Sequence, residues 1–158
     1  LRNQGVSKIL DDGNLEGGIY DLSLAEKIGP LDVHANTYRE WARLYILGNS
    51  FYGAYPETAA QYFGQLAASA PNLQDASGET AFFRYWMSLI HIADFLAAKD
   101  EFCNAKYQYQ SAFEIYSTDR IAVTAHFIEA KCIPTLTPSP IPSQTASPTP
   151  TKKPKRSK

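Results

Sequence analysis

The sequence predicts an all-α domain of antiparallel helical hairpins stacked side by side, followed by a disordered tail rich in proline and threonine. Apolar residues recur three and four positions apart, and no stretch alternates apolar and polar residues as a strand does. The pattern of the hairpin at 32–71 returns at 77–117. From residue 133 the chain holds seven of its ten prolines and no aromatic residue. We therefore expect a helical domain, 1–132, and a linker, 133–158.

The first unit, residues 1–29, is expected to be partial. Gly17 and Gly18 predict a loop, because glycine is common where the backbone needs a positive φ. A short helix over 20–28 follows, and Gly29-Pro30 ends it because proline cannot continue a helix.

The second unit, 32–71, is expected to be a complete hairpin. Asp32 is a suitable N-cap for a helix that ends near Tyr52, and Pro56 suits the first turn of the next helix, which needs no backbone donor there. The apolar face predicted for the first helix consists of Trp41, Leu44, Leu47, Gly48 and Phe51.

The third unit, 77–117, is expected to repeat this hairpin. Asp75 or Ser77 is the predicted N-cap of a helix over 80–98, and Asp100 that of a helix over 101–116. A last helix, 119–132, is expected to start at the N-cap Thr118 and to cover the end of the domain.

An internal repeat links the two complete units. Leu47, Gly48 and Phe51 match Ile92, Ala93 and Leu96, which lie 45 positions later; Ala59 and Phe63 match Ala105 and Tyr109, which lie 46 positions later. Similarity at such a period is typical of stacked helical pairs.

In these residues the chain resembles the tetratricopeptide repeat family. The string from Leu47 to Tyr52 is similar to the core of that family's first helix, and Ala59, Phe63 and Pro71 are similar to its small residue, aromatic and closing proline in the second. The resemblance implies a right-handed superhelical array. The repeat is longer here than the family's roughly 34 residues. Pro56 stands where an aromatic is expected, and no proline closes the second copy.

Cys103 and Cys132 are predicted to lie level in neighbouring antiparallel helices. They stand 15 residues before and 14 residues after the turn at Thr118. A disulfide is therefore reasonable in an oxidising compartment, and two buried free thiols are the alternative. The paired cysteines and the Thr-Pro tail are similar to repeat proteins of filamentous green bacteria that work outside the cytoplasm. We expect an extracytoplasmic protein, or one anchored to a membrane through a segment upstream of Leu1.

The residues indicate no catalytic, cofactor or metal site. His34, His91 and His126 are far apart and lack metal or nucleophile spacing, so each is expected to be structural or exposed. The segment from Asp12 to Ser23 matches part of a calcium loop but lacks its twelfth-position glutamate, which favours a polar turn. We expect a protein that is not an enzyme.

Charge is distributed unevenly along the chain. The tail carries five basic residues and no acid, so with a total of −1 the remainder carries −6. The tail lacks aromatic residues for base stacking, and we expect no nucleic-acid partner. No run of 18 apolar residues occurs, so we expect no membrane span in this chain.

The resemblance to tetratricopeptide repeats implies a concave groove lined by the first helix of each hairpin. On that pattern the groove carries Tyr45, Asn49 and Tyr52 from the second unit and Met87, Ile90 and Asp94 from the third. The family's carboxylate-binding mode needs lysine where Tyr45 and Ile90 stand, which argues against that mode here.

The expected function is a monomeric scaffold module that binds a protein or peptide segment in this groove. Two alternatives stay open from the sequence. The domain is either a structural spacer or an accessory domain of a larger membrane-anchored or secreted protein whose catalytic part lies outside this chain.

Overall fold

A computed structural model describes residues 1–132, and these residues form seven α-helices and no strand, with one isolated β-bridge between Gln74 and Thr80. The helices are α1 (Arg2–Leu10), α2 (Leu15–Glu26), α3 (Val33–Phe51), α4 (Pro56–Ser69), α5 (Ala81–Ala98), α6 (Phe102–Ile115) and α7 (Asp119–Lys131). The all-α prediction is confirmed for this part of the chain. The predicted linker, 133–158, lies outside the described residues.

Each helix packs against the next one along the chain, and α1 also contacts α3. The buried apolar side chains form two clusters. The first joins α1 to α4 and the start of α5, around Ile9, Leu22, Tyr45 and Phe63. The second extends from Ala60 of α4 across α5, α6 and α7, with Trp86, Ile92, Tyr109 and Ile128 among its members.

Side chains cap the N-termini of four of the described helices, and at α2 the side-chain oxygen of Asn14 accepts a hydrogen bond from the Gly17 amide at 3.0 Å. The carboxylate of Asp32 accepts a hydrogen bond from the Ala35 amide at 2.8 Å, and Thr118 accepts one from the Ile121 amide at 3.3 Å, both as predicted. At α5 the prediction was wrong, because Thr80 is the N-cap and accepts from the Phe83 amide at 3.2 Å.

The residues predicted to cap α5 and α6 hold turns instead. The carboxylate of Asp75 accepts hydrogen bonds from the amide and the hydroxyl of Ser77, which folds a tight turn before Thr80. Asp100 has a positive φ of 62°, so it ends the turn after α5, and Glu101 takes the N-cap position of α6 without a side-chain cap.

Glycine allows a close approach of α1 and α2. A Cβ atom at Gly18 would lie 2.3 Å from Ile9 Cγ1 and 2.7 Å from the carbonyl oxygen of Gly5. The prediction that Gly17 and Gly18 form a loop was therefore wrong: both lie within α2, and Gly18 is needed because a neighbouring backbone leaves no room for a side chain.

The repeated positions lie at equivalent places in the core. Ala59 on α4 and Ala105 on α6 are each 0% exposed, and their partners Phe63 and Tyr109 are 0% and 2% exposed. In each of the two hairpins, α3–α4 and α5–α6, the small residue and the aromatic ring at the repeated positions are thus buried in a core cluster. The domain is thus repeat-like as well as helical.

None of the seven helices in residues 1–132 combines the length and the apolar character that crossing a membrane requires.

Candidate functional site

A groove of about 300 Å³ lies between α5, α6 and α7. Met87, Ile90, His91 and Asp94 line it from α5, and Arg120 and Thr124 line it from α7. We refer to this cavity as the α5–α7 groove. Its walls combine apolar, aromatic and charged side chains, as ligand pockets commonly do.

Helical spacing places the α5 residues on one wall. Met87, Ile90, His91 and Asp94 are three to four positions apart, so they project from the same side of the helix. The other side of α5 is buried against neighbouring helices and carries Leu89, Ile92 and Ala93. The buried side therefore holds α5 in place while the other side stays open to the groove.

A hydrogen bond between two helices orients the acidic group of the groove. The hydroxyl of Tyr109, a core residue of α6, donates to Oδ1 of Asp94 on α5. Burial raises the pKa of the Tyr109 hydroxyl well above its ordinary value of 10.0, and the Asp94 carboxylate raises it further. The phenol thus stays protonated at neutral pH and remains a donor to Asp94.

Three side chains in contact with one another support the groove from the α3 side. The ring of Tyr52 lies 5.2 Å from that of His91, and the guanidinium of Arg84 lies 4.4 Å from the Tyr52 ring. Arg84 is itself held by an ion pair with Glu79 at 2.7 Å and a longer one with Asp75 at 3.5 Å. Because these contacts tie the α3 side to α5, they fix the position of His91.

One polar atom in this wall lacks a partner within the domain. Nδ1 of His91 is buried and forms no hydrogen bond with any residue of 1–132. A buried ring nitrogen without a partner costs free energy, and such atoms are uncommon in folded proteins. Because protein atoms cover it, this nitrogen is not open to a ligand in the groove.

Met87 and Asp94, predicted from the sequence for a binding groove, line it together with Ile90. Tyr52 contacts the groove residue His91, and Asn49 is exposed on α3 about one turn before Tyr52. These placements bring the predicted residues of α5 together and leave Asn49 outside the lining described above.

Tyr45 requires a correction. It was expected on the groove surface, yet it is 1% exposed and its ring packs edge-on against Phe63, 5.2 Å between centroids. Its hydroxyl donates to the carbonyl oxygen of Glu79 at 2.5 Å. Tyr45 can be buried because its hydroxyl, the one polar atom of the side chain, is hydrogen-bonded within the core. The side chain therefore offers no group to a ligand in the groove.

Sequence reasoning missed His91, Arg120 and Thr124. His91 was expected to be structural, and α7 was expected to act only as a cap. Thr118 and the spacing of Ile121 and Ile128 already predicted how α7 would pack. Arg120 and Thr124, four positions apart on the same helix, were the available signal for a second groove wall.

A disulfide holds α7 against α6. Cys103 and Cys132 are bonded, with their Cα atoms 4.6 Å apart, which confirms the predicted pairing. Cys103 lies in the first turn of α6 and Cys132 at the end of α7. The bond thus fixes the end of α7 that is far from Arg120, and the cap at Thr118 fixes the near end.

Within residues 1–132, no three or more His, Cys, Asp or Glu side chains gather in an arrangement that would hold a metal ion.

Comparison of this chain with protein-family models, with curated proteins and with solved structures finds no match in any of the three.

Proposed function

We propose that this protein is a non-enzymatic interaction module that binds a short peptide segment in the α5–α7 groove. The observation that carries the proposal is that residues chosen from the sequence as one recognition face, Met87, Ile90 and Asp94, line a single cavity with residues of α7. Short segments bind such grooves through a few apolar anchors and oriented polar groups.

The repeat supports a tetratricopeptide-like reading of this module. Ala59 and Ala105 are equivalent small buried residues, and α5 and α7 both face the groove, as the first helices of successive hairpins do in a superhelical array. On this reading α7 is the first helix of a further unit as well as the cap of the domain.

The disulfide supports a location outside the cytoplasm. Disulfides persist in oxidising compartments and are rare where thiols are kept reduced. We place the module there as part of a scaffold, with the Thr- and Pro-rich segment after Cys132 as its linker.

Selection from a displayed library of random peptides tests the groove. We expect the full-length chain to enrich a family of related peptides that Ile90→Glu no longer binds, because a charge would replace an apolar anchor. The control is Val123→Glu, at a position on α7 that is 72% exposed and outside the groove lining. Far-UV circular dichroism verifies that both variants are folded.

A second measurement does not depend on a disruptive substitution. A photo-crosslinking amino acid at Thr124 is expected to capture the enriched peptides, and the same group at Val123 is not. Equal capture at both positions, or peptides that bind Ile90→Glu normally, would contradict the groove. Enrichment of no peptide at all would favour the spacer alternative.

A further inference from the structure

We propose that the α5–α7 groove recognises a peptide through two opposite charges, a basic side chain that binds Asp94 and an acidic group that binds Arg120, on either side of an apolar residue. This inference rests on the proposed function and specifies the chemistry of the partner. It follows from the two charged side chains that line the groove and from the partners that the neighbouring basic residues already have.

Asp94 is oriented but only partly satisfied. Tyr109 donates to Oδ1 of its carboxylate, while a carboxylate offers about four acceptor positions. The residue is exposed to solvent, and within residues 1–132 it forms no ion pair. The hydrogen bond to Tyr109 therefore presents a fixed carboxylate oxygen to a cation that enters the groove.

Arg120 is an exposed cation on the opposite wall. It forms no ion pair in the described part of the chain, although it lines the same cavity as Asp94. It stands in the first turn of α7, where the helix dipole disfavours a positive charge. Helix stability thus gives no reason for an arginine here, whereas an anionic ligand does.

The other basic residues of α5, α6 and α7 already have partners. Arg84 is paired with Glu79, and Lys106 with Glu129 at 2.6 Å. Lys99 lies over the Phe95 ring. Lys131 lies over the rings of Phe102 and Phe127. Arg120 is therefore the cation of these three helices that the described contacts leave for a ligand.

Apolar side chains line the same cavity as the two charges. Met87 and Ile90 are half-buried in the wall, and Ile121 is buried beneath it. Methionine adapts to ligands of different shape, so the groove accepts more than one apolar residue at this point. A volume of about 300 Å³ lies at the small end of ligand pockets, which favours a short segment.

Charge reversal in the peptide selection tests the inference. From a random library, the full-length protein is expected to enrich peptides with Lys or Arg and Asp or Glu at a constant spacing around an apolar residue. With Asp94→Lys the basic position should become acidic, and with Arg120→Glu the acidic position should become basic. Each variant should bind the best wild-type peptide roughly tenfold more weakly, since attraction is replaced by repulsion.

Matched controls carry the same change of charge outside the groove. Glu114→Lys alters an exposed residue at the end of α6, and Arg43→Glu alters an exposed residue of α3. Both are expected to enrich the wild-type peptides with unchanged affinity. If they shift the selection as much as the groove variants do, net charge is the cause and the inference is overturned.

The remaining outcomes separate this inference from the function it rests on. Peptides that are lost with Ile90→Glu but unaffected by Asp94→Lys and Arg120→Glu would overturn the two-charge recognition and leave the groove intact. A selection that enriches no peptide would overturn both.

Discussion

The hydroxyl of Tyr109 on α6 donates a hydrogen bond to the carboxylate of Asp94 on α5, which joins the second core cluster to the wall of the groove. Tyr109 is 2% exposed, whereas Asp94 faces solvent. The contact therefore links a core residue to a residue of the groove that we propose binds a peptide.

Removing this hydroxyl tests the contact. We expect Tyr109→Phe to lower the free energy of unfolding by about 1–2 kcal/mol, because a hydrogen bond to a charged acceptor is lost while the ring still fills its site. Urea unfolding at pH 7 measures the change. The control is Tyr107→Phe on the same helix, where the side chain is 67% exposed and the change should stay within about 0.5 kcal/mol. Equal losses in the two variants would contradict the contact.

The same contact predicts a loss of stability in alkali. The pKa of Tyr109 is higher in the folded protein than its ordinary value of 10.0, so folding favours the protonated phenol. Its contribution is fully present below pH 10 and is lost as the pH rises from there toward the folded-state value. Tyr109→Phe should therefore unfold with a shallower dependence on pH above 10 than the wild type, and an identical dependence would refute the assignment.

Close packing of α1 against α2 predicts an unusual response to alanine. In a helix, glycine to alanine normally stabilises by about 1 kcal/mol. At Gly18 the new Cβ would meet Ile9 and the Gly5 carbonyl, so we expect a net destabilisation of about 1–3 kcal/mol. Thermal unfolding of Gly18→Ala checks this.

Gly64→Ala is the matched control for that measurement. Gly64 also lies within a helix, but the nearest atom to its added Cβ is a ring carbon of Tyr85 at 3.2 Å, and a half-buried ring can shift by a few tenths of an ångström. We expect a change within about 1 kcal/mol. A Gly18→Ala variant as stable as Gly64→Ala would show that α1 and α2 do not approach this closely.

Much of the local structure could be predicted because it depends on neighbours in the chain. Asp32 and Thr118 cap helices through amides three residues later, and Pro56 begins a helix because its ring suits the first turn. The pairing of Cys103 with Cys132 followed from counting residues on two antiparallel helices.

The errors concern contacts between elements. Helix α3 is apolar on several sides, so spacing alone did not show that Ala42 and Tyr45 face the core while Leu47 is 41% exposed. Gly18 was predicted to be a loop residue because its reason for being glycine, the Gly5 backbone opposite it, lies on another helix. The place of Arg120 in the cavity wall depends on how α7 packs relative to α5, which no local pattern encodes.

Acid should weaken the ion pair between α2 and α3. Arg39 is 7% exposed and forms two hydrogen bonds to Glu26, at 2.6 and 3.2 Å. The hydrogen bond from Arg39 lowers the pKa of Glu26 below its ordinary value of 4.5. The stabilisation is present above pH 4.5 and is lost as the pH falls through the folded-state value. Between pH 5 and pH 3, we expect the free energy of unfolding of Glu26→Gln to fall less than that of the wild type. Urea unfolding measures both. Glu114→Gln, at an exposed position, is the control and should fall as the wild type does.

Reduction of the disulfide is expected to weaken the attachment of α7. The bond closes a loop of 29 residues, which contributes about 3–4 kcal/mol in the chain-entropy model. We expect dithiothreitol to lower the free energy of unfolding by about that amount, and Cys103→Ser/Cys132→Ser to be equally weak with or without reductant. Because Arg120 and Thr124 lie on α7, the reduced protein should also bind groove peptides less tightly. Protein secreted into an oxidising compartment should show no thiol under denaturing, non-reducing conditions; two titratable thiols there would exclude the bond from the native protein.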